Sequence, residues 1–351
     1  MNATIVAKKE LKTLRGNGIG GVLVRDRIPR GALVAGVVLA AGLAVPYIVL
    51  DRYYITLLFD GLILSMLALS IGFLARHLGL ISLGHVAFFG GAAYGYAIAI
   101  TRWQFTPLAA AGFGLLVGTV LAIVMGALVV RATGMGFLML TLAFGQALYA
   151  LCIQRFAIPY TGAFDGLQAP FPPGTSFLGL SRSDVMNAGL FWPVAWIVLV
   201  LVVFGMWVVG RTSFGTLLEG IRENEERMRF SGFDTYRPRL IAFVASGFVA
   251  ALAGVLFAIN AAYVSPEVLG FLEAGDSLTA AIVGGASTLG GPVLGGFLYV
   301  WAQATFNSSG NLHLYIGIAL IVVLMFLPGG IVGSAQRLWG RMRLRRKENE
   351  K

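Results

Sequence analysis

Run after run of apolar residues, each close to the ~20 that an α-helix needs to cross a hydrocarbon core, limits this chain to very few folds. The runs lie near residues 31–50, 57–75, 85–101, 107–130, 135–154, 189–210 and 240–262, and a longer glycine-broken stretch follows from 277 to 333. Composition fits the same picture: 58% of the 351 residues are hydrophobic and 12% are charged, where a soluble domain needs roughly a quarter charged to cover its surface. The expected fold is an all-α, polytopic transmembrane helical bundle.

The net charge of +10 does not indicate nucleic acid, because the charges are grouped. Twenty of the 26 Lys and Arg fall in 1–30, 211–239 and 337–351, and short basic segments next to membrane spans stay on the cytosolic side. Counting from a cytoplasmic N-terminus, six crossings return the chain to the cytosol at Arg211, and the seventh ends outside at an acidic loop with Glu267, Glu273 and Asp276. A cytoplasmic C-terminus then needs an odd number of further crossings. Three short ones, near 277–289, 292–306 and 312–330, meet that need, with Gly290-Gly291-Pro292 as the turn between the first two. The expectation is therefore about ten crossings, some short or broken, with both termini cytoplasmic. The chain divides into a cytosolic basic leader, 1–30, a membrane domain, 31–333, and a cytosolic basic tail, 334–351. The leader is polar and the run after it is too long for a signal-peptide core, so it is read as an anchor that stays.

Between the sixth and seventh runs lies RTSFGTLLEGIRENEERMRFSGFDTYRPR. Phe214, Leu217, Leu218, Ile221 and Met228 recur at helical spacing, charged residues occupy the rest, and Gly232 is a plausible stop. The spacing predicts one amphipathic cytosolic helix over 213–232. A helix lying on anionic lipid has a basic polar face; this segment mixes five acids with six arginines, so a groove on a protein suits it better, the alternative being a helix that covers the underside of its own bundle. On the other side, the turn-rich segment around 155–188 and the loop near 263–276 are expected outside, either as connectors or as docking surfaces.

Glycines crowd two membrane-depth segments, Gly79 to Gly95 and Gly284 to Gly296. Irregular backbone survives there only where protein or a cavity surrounds it, and paired interruptions in two halves point to a transport site. On that reading Ser82, His85 and Thr288 line a path. Close helix packing through small-xxx-small contacts, as at Gly91 and Gly95, explains the same glycines. His85 also has two readings: a cap or hydrogen-bonding group in a bent helix, which the cost of unsatisfied backbone in lipid favours, or a substrate contact. The histidines are not spaced as a metal pair and Cys152 is the only cysteine, so no metal and no cofactor is expected.

Several motifs in order resemble the permease subunits of binding-protein-dependent ABC importers, in the branched-chain amino acid branch. They are GLISLGHVAFFG (Gly79 to Gly90), TLAFGQ (Thr141 to Gln146), TGAFDGL (Thr161 to Leu167), GIRENE (Gly220 to Glu225), GGASTLGGP (Gly284 to Pro292) and FLPGG (Phe326 to Gly330), and the likeness covers roughly 57–333. The resemblance implies that the cytosolic helix enters a cleft of a separate ATPase subunit, with Glu219, Arg222, Glu223, Asn224 and Arg227 as contacts. It implies a pathway near Ser82, His85, Thr141, Gln146, Gly284, Gly285 and Thr288. It further implies a bacterial inner-membrane location, membrane lipid around the bundle, and as partners a second homologous permease, two ATP-binding subunits and a periplasmic substrate-binding protein. The substrates implied are leucine, isoleucine and valine, with urea, short amides or aromatic acids as alternatives. Leu80, Ala163, Ser287 and Gln146 depart from residues common in that family, which bears on substrate more than on fold.

Other classes fit less well. GNGIGG near the N-terminus has dinucleotide-loop spacing but no strand before it. The GxxxxGK[ST] phosphate loop is absent and all five lysines lie in the tails, so ATP hydrolysis is expected from another chain. No catalytic nucleophile–base set is visible. An ion-coupled carrier would bury acids or histidines in its spans, and Asp60 is the only acid inside an expected span.

Overall fold

The computed structural model describes residues 28–49, 51–306, 314–315, 317–318, 321, 325 and 329–336. Most of the leader, most of the 312–330 crossing and most of the tail lie outside those residues, as do His313 and the first three positions of FLPGG.

Eleven helices longer than one turn order residues 28–306: α1 (Ile28–Ile48), α2 (Arg52–Leu78), α3 (His85–Trp103), α4 (Pro107–Val129), α5 (Gly134–Cys152), α6 (Ala188–Val209), α7 (Ser213–Glu223), α8 (Glu225–Phe230), α9 (Tyr236–Ala261), α10 (Phe271–Gly284) and α11 (Gly290–Phe306). Six of them, α1, α2, α4, α5, α6 and α9, are long and apolar enough to cross a membrane. The core is built from α2, α3 and α9, whose apolar side chains interlock around Phe59, Phe88 and Phe243. Asp51 caps α2 by accepting the Tyr53 N–H at 2.9 Å, and Gly79, at φ 66°, ends it. α1 runs along the outside of α6, fixed where Trp192 Nε1 donates to the Gly42 carbonyl at 2.8 Å. Large apolar side chains on α4, α5 and α6, such as Leu116, Met139 and Leu201, remain exposed, as spans facing lipid or another subunit require.

Three departures from the sequence reading have clear causes. First, the amphipathic segment after α6 is two helices, broken at Asn224, which lies at φ −161°, ψ 96° and accepts the Arg227 N–H at 2.8 Å as the N-cap of α8. Asparagine competes for backbone donors and so favours a cap over a helix interior. Second, the turn between the first two helices of the glycine-broken stretch falls at 285–289, not at Gly290-Gly291-Pro292. Gly285, at φ 113°, reverses the chain, and Pro292 sits in the first turn of α11, where its missing N–H costs nothing. Third, Glu273 and Asp276 belong to α10, not to a loop.

The segments around 155–188 and 263–276 are joined. Leu167 and Gln168 pair with Val264 and Tyr263 as a two-strand antiparallel ladder, the Ala169 N–H donates to the Ala262 carbonyl at 2.8 Å, and Asn260 Nδ2 donates to the Val185 carbonyl at 2.7 Å. The segments around 155–188 and 263–276 therefore form one continuous surface.

Candidate coupling site and pathway residues

α7 lies across the end of α2. Its apolar side chains Leu218 and Ile221 are buried, while Glu219, Arg222 and Glu223 are exposed. Arg222 Nη1 donates to the Arg76 carbonyl at 2.5 Å, a carbonyl at the C-terminal end of α2 that has no further helical turn to accept from. Glu219 Oε1 stands 3.7 Å from His77 Nδ1 on the same helix end. After the bend at Asn224, α8 turns so that Met228 rests on Gly220, which is why Met228 keeps the apolar spacing of α7 although it sits on a different helix. α8 is held by Glu225: its Oε2 pairs with Arg239 Nη1 at 2.7 Å and its Oε1 accepts from Thr235 Oγ1 at 3.0 Å. Arg239 Nη2 also donates to the Ala132 carbonyl at 2.8 Å, so one buried guanidinium links α8, α9 and the α4–α5 turn.

Glu223, Asn224, Glu226 and Arg227 thus form an exposed ridge, bounded by Phe230, which is 91% exposed. Of the five expected ATPase contacts, Glu223, Asn224 and Arg227 have their surfaces open, Glu219 is exposed beside His77, and Arg222 also holds the segment to α2. Phe230 was missed from sequence because it lies off the apolar spacing; an aromatic side chain standing on a polar face was the available signal.

The expected pathway residues separate into three places. Ser82, His85 and Thr141 come together in the core: Thr141 Oγ1 accepts the Leu83 N–H at 3.2 Å, Ser82 Oγ accepts the Gly84 N–H at 3.2 Å, and His85 Nε2 lies 3.0 Å from Ser246 Oγ. All three are fully buried, and the His85 ring lies edge-on to Phe88 and Phe243. Thr141 and Ser82 bond the irregular backbone that starts α3, and His85 ties α3 to Ser246 on α9. Gly284, Gly285 and Thr288 lie at the α10–α11 reversal. A Cβ on Gly284 would collide with the Gly291 carbonyl oxygen, and Thr288 Oγ1 accepts the Gly291 N–H at 3.0 Å, so these residues let two helices touch and cap the second. Gln146 stands apart on α5, its Nε2 buried with no hydrogen-bond partner among the described residues.

None of the seven lines the cavity of about 240 Å³ between α2, α10 and α11. Asp60, Glu273, Asp276 and Gln303 supply its polar wall, and Ile63, Leu67, Phe89 and Phe257 are among its apolar lining. Glu273 and Asp276 sit one helical turn apart, and sequence reading placed both in a loop. With three carboxylates around one cavity, the scarcity of acids in the apolar runs no longer argues against ion coupling.

Family membership decides that question. Residues 53–335 match the family described as the branched-chain amino acid transport system / permease component, and the chain belongs to that family. It is a multi-pass inner-membrane protein of the importer permease class, a class that works with ATPase and substrate-binding partners. The high-affinity branched-chain amino acid transport system permease protein LivM of Escherichia coli (strain K12) is 26% identical over 354 residues, covering 93% of this chain and 80% of that protein. LivM of Salmonella typhimurium is also 26% identical, over 72% of this chain and 64% of that protein. The autoinducer 2 import system permease protein LsrC of Klebsiella pneumoniae is 36% identical over a shorter stretch, 30% of this chain and 31% of its own. No solved structure matches.

Proposed function

We propose that this chain is the membrane subunit through which an ATP-driven importer moves leucine, isoleucine or valine inward. The observation that carries the reading is the α7–α8 ridge, anchored to the ends of α2 and α9 by Arg222 and Arg239 and exposing Glu223, Arg227 and Phe230 to a partner. The chain crosses the membrane about ten times, with the leader 1–30, the helical pair within 213–232 and the tail 334–351 in the cytosol. It pairs with a second, homologous permease, and the two are served by two ATPases and by a periplasmic binding protein that docks on the joined outer loops. Closure of the ATPases displaces the ridge, and the ridge moves α2 and α9, which form the core. A contact shifts such an equilibrium only by its difference between the two states, so the anchors matter as much as the exposed contacts.

The substrate reading rests on the LivM relatives, at 26% identity, and the cavity beside Asp60 and Glu273 offers carboxylates for an ammonium group and apolar walls for a branched side chain. The short LsrC match favours no second substrate, since it covers 30% of this chain.

Two measurements test the proposal. In vesicles holding the whole assembly, Arg222→Ala with Glu223→Ala is expected to cut leucine uptake per ATP hydrolysed by about tenfold or more, as loss of one or two charge-assisted contacts of about 1.4 kcal/mol or more implies, with assembly intact. Unchanged coupling in an assembled complex rejects the ridge as the transmitter, and urea uptake insensitive to leucine rejects the substrate. Gln146, which the resemblance assigns to the pathway, gives the second. A buried amide without a partner costs about 1–3 kcal/mol, so Gln146→Leu is expected to leave the melting temperature equal or higher while raising the KM of uptake; a lowered melting temperature with unchanged KM assigns Gln146 to structure.

A further inference from the structure

On the same end of the molecule as α7, a cavity of about 370 Å³ opens between the end of α2, the end of α6 and the α10–α11 turn. Arg76 and Arg211 both line it, and among the described residues no carboxylate does. The contrast with its neighbour is informative: the larger cavity beneath α8 also holds arginines, but Glu225 and Asp234 stand among them. Here two guanidinium groups share a lining that carries no carboxylate among the described residues, the acid that acts on Arg76 being Glu219 on α7. Arg211 is oriented by stacking over the Trp207 ring, 4.3 Å from its centroid, a contact that leaves the N–H edge of a guanidinium free to donate. Leu289 and Gly290 place the N-terminus of α11, a helix of 17 residues, on the cavity wall, where a helix presents its positive end, although the Gly291 N–H is already taken by Thr288. The exposed Ser287 hydroxyl lines the same wall. Next to Arg76, the buried His77 ring has an Nε2 with no hydrogen-bond partner among the described residues, lying against Gly210, itself a wall residue.

Two guanidinium groups, a hydroxyl and a helix N-terminus around a space of this size are the donor set of a phosphate site. We propose that this cavity binds a phosphoryl anion: either the phosphodiester headgroup of an anionic phospholipid or free phosphate. Trp207 belongs to the aromatic side chains that settle at headgroup depth, and α1 packs against it at Gly31, so a lipid can enter from the membrane edge. The placement in the cytosolic leaflet rests on the orientation given under the proposed function, whereas anion binding does not. An anion here touches the residue whose carbonyl anchors Arg222 and also the turn that joins α10 to α11, and so ties the transmitting ridge to the helices around the acidic cavity.

The test uses the purified full-length chain in detergent, with native mass spectrometry reading retained dioleoylphosphatidylglycerol against dioleoylphosphatidylcholine, and inorganic phosphate as competitor. Preference for phosphatidylglycerol of about tenfold is expected, falling to about parity in Arg76→Gln with Arg211→Gln, the size expected from losing charge-assisted hydrogen bonds. Displacement of the lipid by millimolar phosphate identifies the soluble anion as the ligand; retention in its presence identifies the lipid. Ser287→Asp, a rim substitution at an exposed position, should lower retention by repulsion and gives an independent reading if the double variant does not fold. Equal retention of both lipids by the wild-type chain, with no phosphate binding, overturns the site, as does undiminished retention in the folded variants. Because no step requires transport, failure here leaves the importer reading standing, and failure of leucine uptake leaves this site standing.

Discussion

Arg239→Ala is expected to destabilise the protein by about 3 kcal/mol and to abolish ATP-coupled uptake. Breaking a buried ion pair by removing one partner costs roughly 3–5 kcal/mol, since the other charge stays behind uncompensated. Here the Arg239 side chain is 5% exposed and that of Glu225 30%, so water can reach the abandoned carboxylate in part and the lower end applies. The loss is also topological, because the same guanidinium donates to the Ala132 carbonyl, and without it α8, α9 and the α4–α5 turn part company. Arg239→Lys should be intermediate: an ammonium can keep Glu225 but cannot span both acceptors with a planar fork. The discriminating comparison is Arg239→Met with Glu225→Leu. Removing both charges leaves nothing buried and unpaired, so this double variant should melt closer to wild type than Arg239→Ala does, while uptake stays low because α8 has lost its tether. Thermal melting of the purified variants and leucine uptake in vesicles measure the two effects separately. A double variant less stable than the single would mean that the pair is stabilising beyond its mutual compensation.

The parts of this molecule that were legible in sequence are those governed by length and period. A run such as 189–210 or 240–262 has to become a span because lipid accepts no other use for it, and α6 and α9 lie there. The amphipathic segment after Gly210 was visible because its spacing is helical. Its break was less visible: Asn224 between two glutamates is a cap signal, but Met228 continues the apolar spacing across the bend and masks it. α10 was misplaced because Glu273 and Asp276 read as solvent-facing, whereas they face a cavity enclosed by α2 and α11. The α3 helix, with 14 of its 19 residues buried, is absent from the six long apolar helices, since small and polar residues such as Gly90, Ala92 and His85 make a helix that is packed on by protein rather than by lipid. Among the site residues, the link from Glu225 to Arg239 joins positions fourteen apart and the Leu83–Thr141 hydrogen bond joins positions far apart in the chain; no local period contains either. The glycines were the hardest, because a path and a packed contact ask for the same residue, and only the neighbour's position separates them.

That separation yields the other large effect. Gly254→Ala in α9 is expected to prevent accumulation of folded protein, while the same exchange at Gly205 in α6 leaves accumulation intact and the melting temperature equal or slightly higher. A methyl group on Gly254 would run into the Phe89 carbonyl oxygen of α3. That obstacle is backbone, which has no rotamer to change, so α3 and α9 must move apart, and these are two of the three helices that build the core. Helix association within a membrane relies on such close approach, there being no hydrophobic drive between helices already in lipid. Overpacking costs about 1–3 kcal/mol and occasionally more; a backbone obstacle between core helices belongs at or above the top of that range. Gly205 has nothing within 4 Å of its Cβ position, and a methyl there removes backbone freedom from the unfolded chain, worth up to about 1 kcal/mol in favour of the helix. Fluorescence-detected size exclusion of tagged variants, followed by melting in detergent, reads both. If Gly254→Ala accumulates and melts like wild type, the contact between α3 and α9 is looser than the glycine implies, and the core reading of both helices fails with it.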